Sequence, residues 1–242
     1  MRKPINISED CRAHLANCSI AICCLARNCA HKISENIKFI EDLRSYFKFL
    51  QVVVVENDSH DNTRAVLDDW SVSSSNVVIL DGIKRSTVSI SEQSNSNVNP
   101  YYSHKRISYL ATLRNQYLNY IKSDGCAYDY ILVLDLDVDR ISLLGVLNSF
   151  EQRDNWDVVS AYGYSISPRL QERIHDTYAM VLPGEENKPQ QERPIKQLQR
   201  DICFNKDEDS LFQVYSAFGG LSIYKGGLLD GIQYGALNNH DP

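Results

Sequence analysis

Apolar residues in this chain fall into short runs separated by polar turn-formers, and the runs alternate between two periods. "SIAICCLA" (Ser19 to Ala26) has strand length and β-branched content, and gives way to the polar "RNCAHK". Ile33, Ile37, Ile40, Leu43 and Phe47 then recur at helical spacing, which predicts a helix reaching about Lys48. "QVVVVEN" is a fully apolar strand of the kind buried on both faces of a parallel sheet, and it ends in carboxylate and amide side chains. Turn-formers in "DSHDNT" lead into a helix carrying Ala65, Val66 and Trp70, and "NVVIL" is a third strand.

From Asp81 to His104 the sequence is polar, aperiodic and rich in Ser and Asn, which predicts a long loop of functional type, mobile without ligand. "KRISYLATLRNQYLNYIKS" follows as a helix with Ile107, Leu110, Leu113, Leu118 and Ile121 on one stripe, and then the strand "YDYILVLDLDVD". Beyond lie a short helix ("ISLLGVLNSF"), a strand ("WDVVSAYGY"), a polar insertion from Ser167 to about Arg200, and the apolar "FQVYSAFGGLSIYKGGLL". Alternation of strand and helix predicts an α/β sandwich around a mostly parallel sheet. The length of 242 residues fits one domain, 1–242.

Composition narrows the function. With 43% hydrophobic and 23% charged residues the chain is an ordinary globule, and 25 basic against 31 acidic side chains leave a net charge of −6 that does not attract nucleic acid. No window approaches 18 uninterrupted apolar residues and the start lacks an apolar signal region, which predicts no transmembrane segment and no export. Seven cysteines, an odd set with five in the first 29 residues, predict structural thiols in a reducing, cytoplasmic setting. Cys18, Cys23, Cys29 and His31 lack zinc-site spacing, because neighbours on an extended run point to opposite faces.

Three polar clusters stand at strand ends, where open α/β sheets bind ligands: Ala26 to His31, Glu56 to Thr63, and Asp135 to Asp139. In the last, four apolar residues deliver Asp135, Asp137 and Asp139 at two-residue spacing. Carboxylates that close repel unless a cation sits between them, and hard oxygens suit Mg²⁺ or Mn²⁺; the plain alternative is an acidic loop capping the next helix. Gly219 and Gly220 serve close backbone approach rather than a phosphate cradle, since no helix-opening glycine motif surrounds them.

"VVVVENDSHDNT" resembles the "VVDDGSTDGT" segment of nucleotide-sugar-dependent glycosyltransferases of the GT-A fold, and "ILVLDLDV" resembles their "hhhhDxD" element. "KRISYLATLRNQYL" is similar to a helix of the same fold as found in fungal capsule-associated mannosyltransferases, and "SAFGGLSIYK" to an acceptor-side strand. The resemblance implies a GT-A (Rossmann-like) α/β/α sandwich, with a nucleotide-binding half at about 18–140 and an acceptor-side half at about 141–242. It implies a Mn²⁺ (or Mg²⁺) dependent transfer of sugar from a UDP- or GDP-sugar to a glycan or other hydroxyl acceptor. By the same resemblance Ala26 and Arg27 flank the nucleoside, and Glu56, Asn57 or Asp58 accepts from base or ribose. Asp135 lies near the ribose, Asp137 ligates the metal together with Asp135 and His240, and Arg106 or Arg114 clamps the diphosphate. Asp139 and Asp241 are the candidate catalytic carboxylates.

Glu56 and Asn57 depart from the family's two aspartates, and Asp58 replaces a glycine. Tyr101, Tyr102, Tyr162, Tyr164 and Tyr224 could stack on a sugar, though packing is the commoner fate of such rings. Asn57 opens an N-x-S sequon inside the proposed pocket, where a glycan would block binding. Two other readings remain: a haloacid-dehalogenase-type phosphatase built on Asp135 and Asp137, with "NKDED" (Asn205 to Asp209) as its distal acids, and a sugar- or nucleotide-binding module without catalysis.

Overall fold

A computed structural model of the protein describes residues 7–83, 104–166, 172–174, 179–185 and 211–236. Tyr101, Tyr102, most of the 81–104 loop, Cys203, Asn205 to Asp209, His240 and Asp241 lie outside these residues.

Four strands run parallel at the centre: β1 (Ser19–Ala26), β2 (Phe49–Glu56), β3 (Val77–Asp81) and β4 (Tyr130–Asp135). Beside β4 lies the antiparallel β8 (Leu221–Lys225), and beyond it the short β5 (Val158–Ser160), so the sheet order is β3-β2-β1-β4-β8-β5. A separate two-stranded ribbon joins β6 (Tyr164–Ile166) to β7 (Glu172–Ile174). The expected α/β/α sandwich around a mostly parallel sheet is the architecture observed.

Strand alternation divides the core. Ile20, Ile22, Cys24, Val52 and Val54 face one side, where they meet Cys11 and Leu15 of α1 (Glu9–Leu15), Ile33 and Ile40 of α2 (Ala30–Arg44), Leu67 and Trp70 of α3 (Thr63–Ser73) and Leu147 and Phe150 of α5 (Leu143–Glu151). Ala21, Cys23, Val53 and Val55 face the other side, against Leu113, Tyr117, Leu118 and Ile121 of α4 (His104–Ser123). Cys23 is therefore on the face opposite Cys18, Cys24 and Cys29, which separates the four zinc-ligand candidates as the alternation required.

Some boundaries differ from the sequence pattern, each for a tertiary reason. α2 stops at Arg44, because Phe49 and Leu50 already pair with Ser19 and Ile20, and the Arg44 guanidinium donates to the Leu50 carbonyl at 2.8 Å. α1 was not visible in the periodicity; Ser8 caps it by accepting from the Cys11 amide at 3.1 Å. "WDVVSAYGY" is two strands and not one: at Gly163 the chain crosses the Gly219 carbonyl so closely that a Cβ would lie 2.4 Å from its oxygen. Gly219 and Gly220 take φ of 57° and 89°, and a Cβ on Gly220 would meet Val138 at 2.8 Å, so the pair does serve close approach.

Candidate functional site

The ends of the parallel strands assemble the site. Ala26, Glu56 and Asp81 stand in one row across β1, β2 and β3, and Asp135 of β4 sits one residue lower, opposite Leu25. Two acidic segments leave this edge side by side.

The loop after β2 is extensively braced. The Ser59 amide donates to Glu56 Oε1 at 2.8 Å, and the other oxygen lies 3.9 Å from Arg64, whose guanidinium also pairs with Asp68 and Asp81. Glu56 is thus a buried carboxylate with partners of its own. Asn57 is buried too, and its side-chain oxygen, at 2.6 Å, and the Ile83 carbonyl, at 2.7 Å, share the single proton of the Tyr109 hydroxyl. Gly82 permits this closeness, since a Cβ there would fall 2.7 Å from the Glu56 carbonyl oxygen. Asp58 adopts φ of 56°, a left-handed conformation, and its carboxylate makes no hydrogen bond among the described residues. Asp61 accepts from the Thr63 amide at 3.0 Å and the Ala30 amide at 3.1 Å; the Thr63 side chain first, and then these amides, hold its carboxyl below the usual carboxylate range.

The turn after β4 is held from two sides. Arg114 lies 3.6 Å from Asp135 with its guanidinium over the Phe218 ring, 5.0 Å away, and near Tyr234, 5.8 Å away. Burial pulls the Arg114 pKa down, and Asp135 and the surrounding tyrosines outweigh it, so the group stays charged. Arg114 therefore faces a carboxylate of the site, which the sequence pattern left undecided between phosphate and solvent. Arg106 is half-buried in the first turn of α4, about 12 Å further along the axis at 1.5 Å per residue. Arg27 is half-buried with an Nε that has no hydrogen-bond partner among the described residues.

From α2, Lys32 pairs with Asp139 at 2.6 Å and donates to the Asp137 carbonyl at 3.2 Å. The Lys32 ammonium keeps the Asp139 carboxyl below its ordinary pKa. A general base works best with a pKa raised toward neutrality, so this pairing favours Asp139 as an anchor for Lys32 over proton abstraction. Asp137 is exposed, and its carboxylate accepts no hydrogen bond and forms no ion pair among the described residues. Among those residues no three His, Cys, Asp or Glu side chains converge to hold a metal. One free carboxylate beside a second suits Mg²⁺ or Mn²⁺ when phosphate oxygens complete the shell, because such ions are commonly held by one or two carboxylates plus a substrate's phosphates.

Lys32, Asn36, Arg64 and Tyr109 were not singled out from the sequence. Asn36 could have been, since it stands three residues after Ile33 and four before Ile40, inside the apolar stripe. It is 2% exposed, whereas Ile37 is only half-buried. Tyr224 is half-buried, with its hydroxyl pKa pushed up to about 12 by burial, while Tyr162 and Tyr164 are exposed, their rings 6.4 Å apart. No helix among the described residues is long and apolar enough to cross a membrane.

A mostly parallel sheet with acidic segments at the ends of β2 and β4 fits the GT-A glycosyltransferase architecture that the sequence resemblance implies. The chain matches the family described as Cryptococcal mannosyltransferase 1 over residues 20–239, and it belongs to that family. Comparison with curated protein sequences gave no match. Among solved structures it is similar to a mannosyltransferase from Pyrobaculum calidifontis in complex with GDP-Man and Mn²⁺, at 16% identity and a TM-score of 0.46, covering 89% of this chain and 46% of that one. It is also similar to residues 1–349 of TarS from S. aureus, at 15% identity and a TM-score of 0.48, covering 88% and 48%. Glucosyl-3-phosphoglycerate synthase from Mycobacterium tuberculosis in complex with UDP gives 13% identity and a TM-score of 0.44, covering 93% and 63%. The chain thus spans less than two thirds of the length of each of these structures.

Proposed function

We propose that this chain transfers a sugar from a nucleoside-diphosphate donor, UDP- or GDP-linked, to a hydroxyl of a glycan acceptor, with Mn²⁺ or Mg²⁺ as cofactor. The observation that carries the reading is Asp137: an unpartnered carboxylate on a braced turn at the carboxyl edge of the sheet, in a member of a mannosyltransferase family. The donor half is residues 18–140. Ala26, Arg27 and Asp58 face the nucleoside, with Glu56 and Asn57 as the buried floor under Asp58. Asp137, with Asp135 and His240, holds the cation, and Arg106 attracts the phosphates from the start of α4. When bound, the cation offsets charge on the departing diphosphate. Asp241 is the candidate base for the acceptor hydroxyl, and residues 141–242 form the acceptor side.

The family match favours the transferase over a phosphatase with Asp135 as its nucleophile. A thermal-shift panel of UDP-, GDP- and dTDP-sugars with Mn²⁺ tests the proposal, with a mannose nucleotide first because of the family. A donor at 100-fold its dissociation constant stabilises by about 2.7 kcal/mol. Stabilisation and slow donor hydrolysis in Mn²⁺ are expected. Stabilisation without any turnover would leave a binding module, and no response to any donor would sink the transferase.

A further inference from the structure

Helix α2 and the residues that lead into it touch both acidic segments, the first through backbone amides and the second through side chains. At its start the amides of Asn28, Cys29 and Ala30 donate to Ser59 Oγ, Thr63 Oγ1 and Asp61 Oδ2 at 3.0, 2.8 and 3.1 Å, which joins α2 to the loop after β2. Further along, the helix turns to the other segment. Asn36 donates both of its side-chain N–H bonds to that turn, one to the Leu136 carbonyl at 2.9 Å and one to the Val138 carbonyl at 3.0 Å. These carbonyls flank Asp137.

The turn's own amides are held less closely. Asp135 donates to Gly220 at 3.1 Å, and Leu136 to Leu25 and Val138 to Asp135 both at 3.4 Å, the long end of hydrogen-bond range, so the two Asn36 bonds are shorter than any of the turn's backbone bonds. Besides them, among the described residues, only Lys32, through Asp139 and the Asp137 carbonyl, reaches the turn from α2. Asn is a mediocre helix former, and a buried amide without partners is costly, so its place in the apolar stripe has a reason in the bonds it makes. We propose that Asn36, assisted by Lys32, is a positioning residue for Asp137: it clamps the carbonyls on either side and so fixes where the free carboxylate points. The inference rests on the transferase reading, in which that carboxylate meets the cation. It predicts that the metal requirement of nucleotide binding is set partly by α2, a helix that contributes no ligand.

The test uses the full chain, with GDP and UDP as probes, titrated by calorimetry over a range of Mn²⁺ concentrations and in EDTA. In Asn36→Ser the Mn²⁺ concentration giving half-maximal nucleotide binding should rise at least tenfold, while binding in EDTA stays as in wild type. Lys32→Met, at a partly exposed position, should raise it by about threefold without loss of fold, and Lys32→Arg should recover most of that. A purely structural role for Asn36 would weaken binding equally with and without metal, and that outcome overturns the proposal. An unchanged Mn²⁺ dependence in folded Asn36→Ser overturns it as well. Should Asn36→Ser not fold, Lys32→Met decides, and a wild-type Mn²⁺ dependence there counts against the proposal. A wild type that binds neither nucleotide at any Mn²⁺ concentration would refute the transferase reading and this inference with it; wild-type binding with unaltered variants refutes the inference alone.

Discussion

The loop after β2 and the turn after β4 are alike in composition and different in what their acids do. Each carries three carboxylates, Glu56, Asp58 and Asp61 in one, Asp135, Asp137 and Asp139 in the other. In both, the outer two are tied to the fold: Glu56 to the Ser59 amide and Arg64, Asp61 to the Thr63 and Ala30 amides, Asp135 to Arg114, Asp139 to Lys32. Only the middle one is left without a partner among the described residues. The bracing differs, however. Backbone amides, with Arg64 beside Glu56, hold the acids of the β2 loop, whereas cationic side chains alone, Arg114 and Lys32, hold the outer acids of the β4 turn, so the second carries more charge that a ligand can redistribute. Acidic residues at a strand end are therefore not interchangeable as candidate ligands, and what each already touches decides which remain available.

The largest effect follows from the middle position of the turn. Asp137→Ala should reduce donor affinity in Mn²⁺ by more than 100-fold and abolish transfer, while the melting temperature stays within about 2 °C of wild type, since an exposed side chain without partners contributes little to stability. Calorimetry with Mn²⁺ and with EDTA reads this directly. If wild type binds and turns over equally well in EDTA, the two segments do not differ in the way argued.

Arg114 comes next. Its replacement by Met leaves Asp135, one third exposed, without its counter-ion and loses the stacking on Phe218. Breaking a fully buried pair costs about 3–5 kcal/mol; discounted for the partial exposure of both groups, about 2 kcal/mol is expected in urea unfolding. Arg114→Lys should recover part of that, because it keeps the charge but not the planar contact. An equally large loss in Asp137→Ala would remove the distinction between outer and middle carboxylates.

The sequence already carried the sheet and the strand ends at which the candidate site lies. Runs such as Val52 to Val55 and Ile131 to Leu134 are apolar on both faces, and the polar residues that end them mark the edge where the site forms. The bracing was less legible. Asn36 and Lys32 lie 100 residues or more from the carbonyls and carboxylate they bind, far outside any local motif, and Arg114 reads in sequence equally as a phosphate clamp or an exposed helix arginine. Periodicity reports which face of an element is buried, but not which polar partner a distant segment brings to it. The chain beyond residue 141 was hardest, because three of its strands, β5, β6 and β7, are only three residues long and its turns depend on glycines meeting other backbone, as Gly163 does at Gly219.

A smaller effect is expected on the β2 side, and it probes rigidity. Asp58→Gly relieves a left-handed conformation that costs a side chain of the order of 1 kcal/mol. The unfolded chain gains freedom of similar size, so the net change in stability should be within about 0.5 kcal/mol by urea unfolding. Gly82→Ala should instead destabilise by about 1–3 kcal/mol, because its Cβ meets the Glu56 carbonyl oxygen and Asn57. A tolerated Gly82→Ala would show that the β2 loop yields as readily as the β4 turn.

The smallest effect concerns Asp139, and it tests whether the β4 turn is held by charge. Lys32 depresses the Asp139 carboxyl in the folded protein through a hydrogen bond and the charge of its ammonium. A carboxyl whose folded pKa lies below its unfolded value contributes stability at pH above the ordinary carboxylate range, and that contribution is lost as pH falls through the lowered value. Removing the ammonium in Lys32→Met should let the Asp139 carboxyl return upward, toward an ordinary aspartate, and the acid side of the stability profile should flatten slightly. Asp139 is exposed, so the effect on stability is small and salt should erode it further. A carboxyl-detected NMR titration of wild type and Lys32→Met, at low and high salt, reads the shift at the residue itself. The expected result is a lowered Asp139 midpoint in wild type that rises in Lys32→Met and moves upward with salt. An Asp139 midpoint that is identical in the two proteins would mean that Lys32 holds the turn only through the Asp137 carbonyl, and the β4 turn would then be braced by backbone contacts much as the β2 loop is.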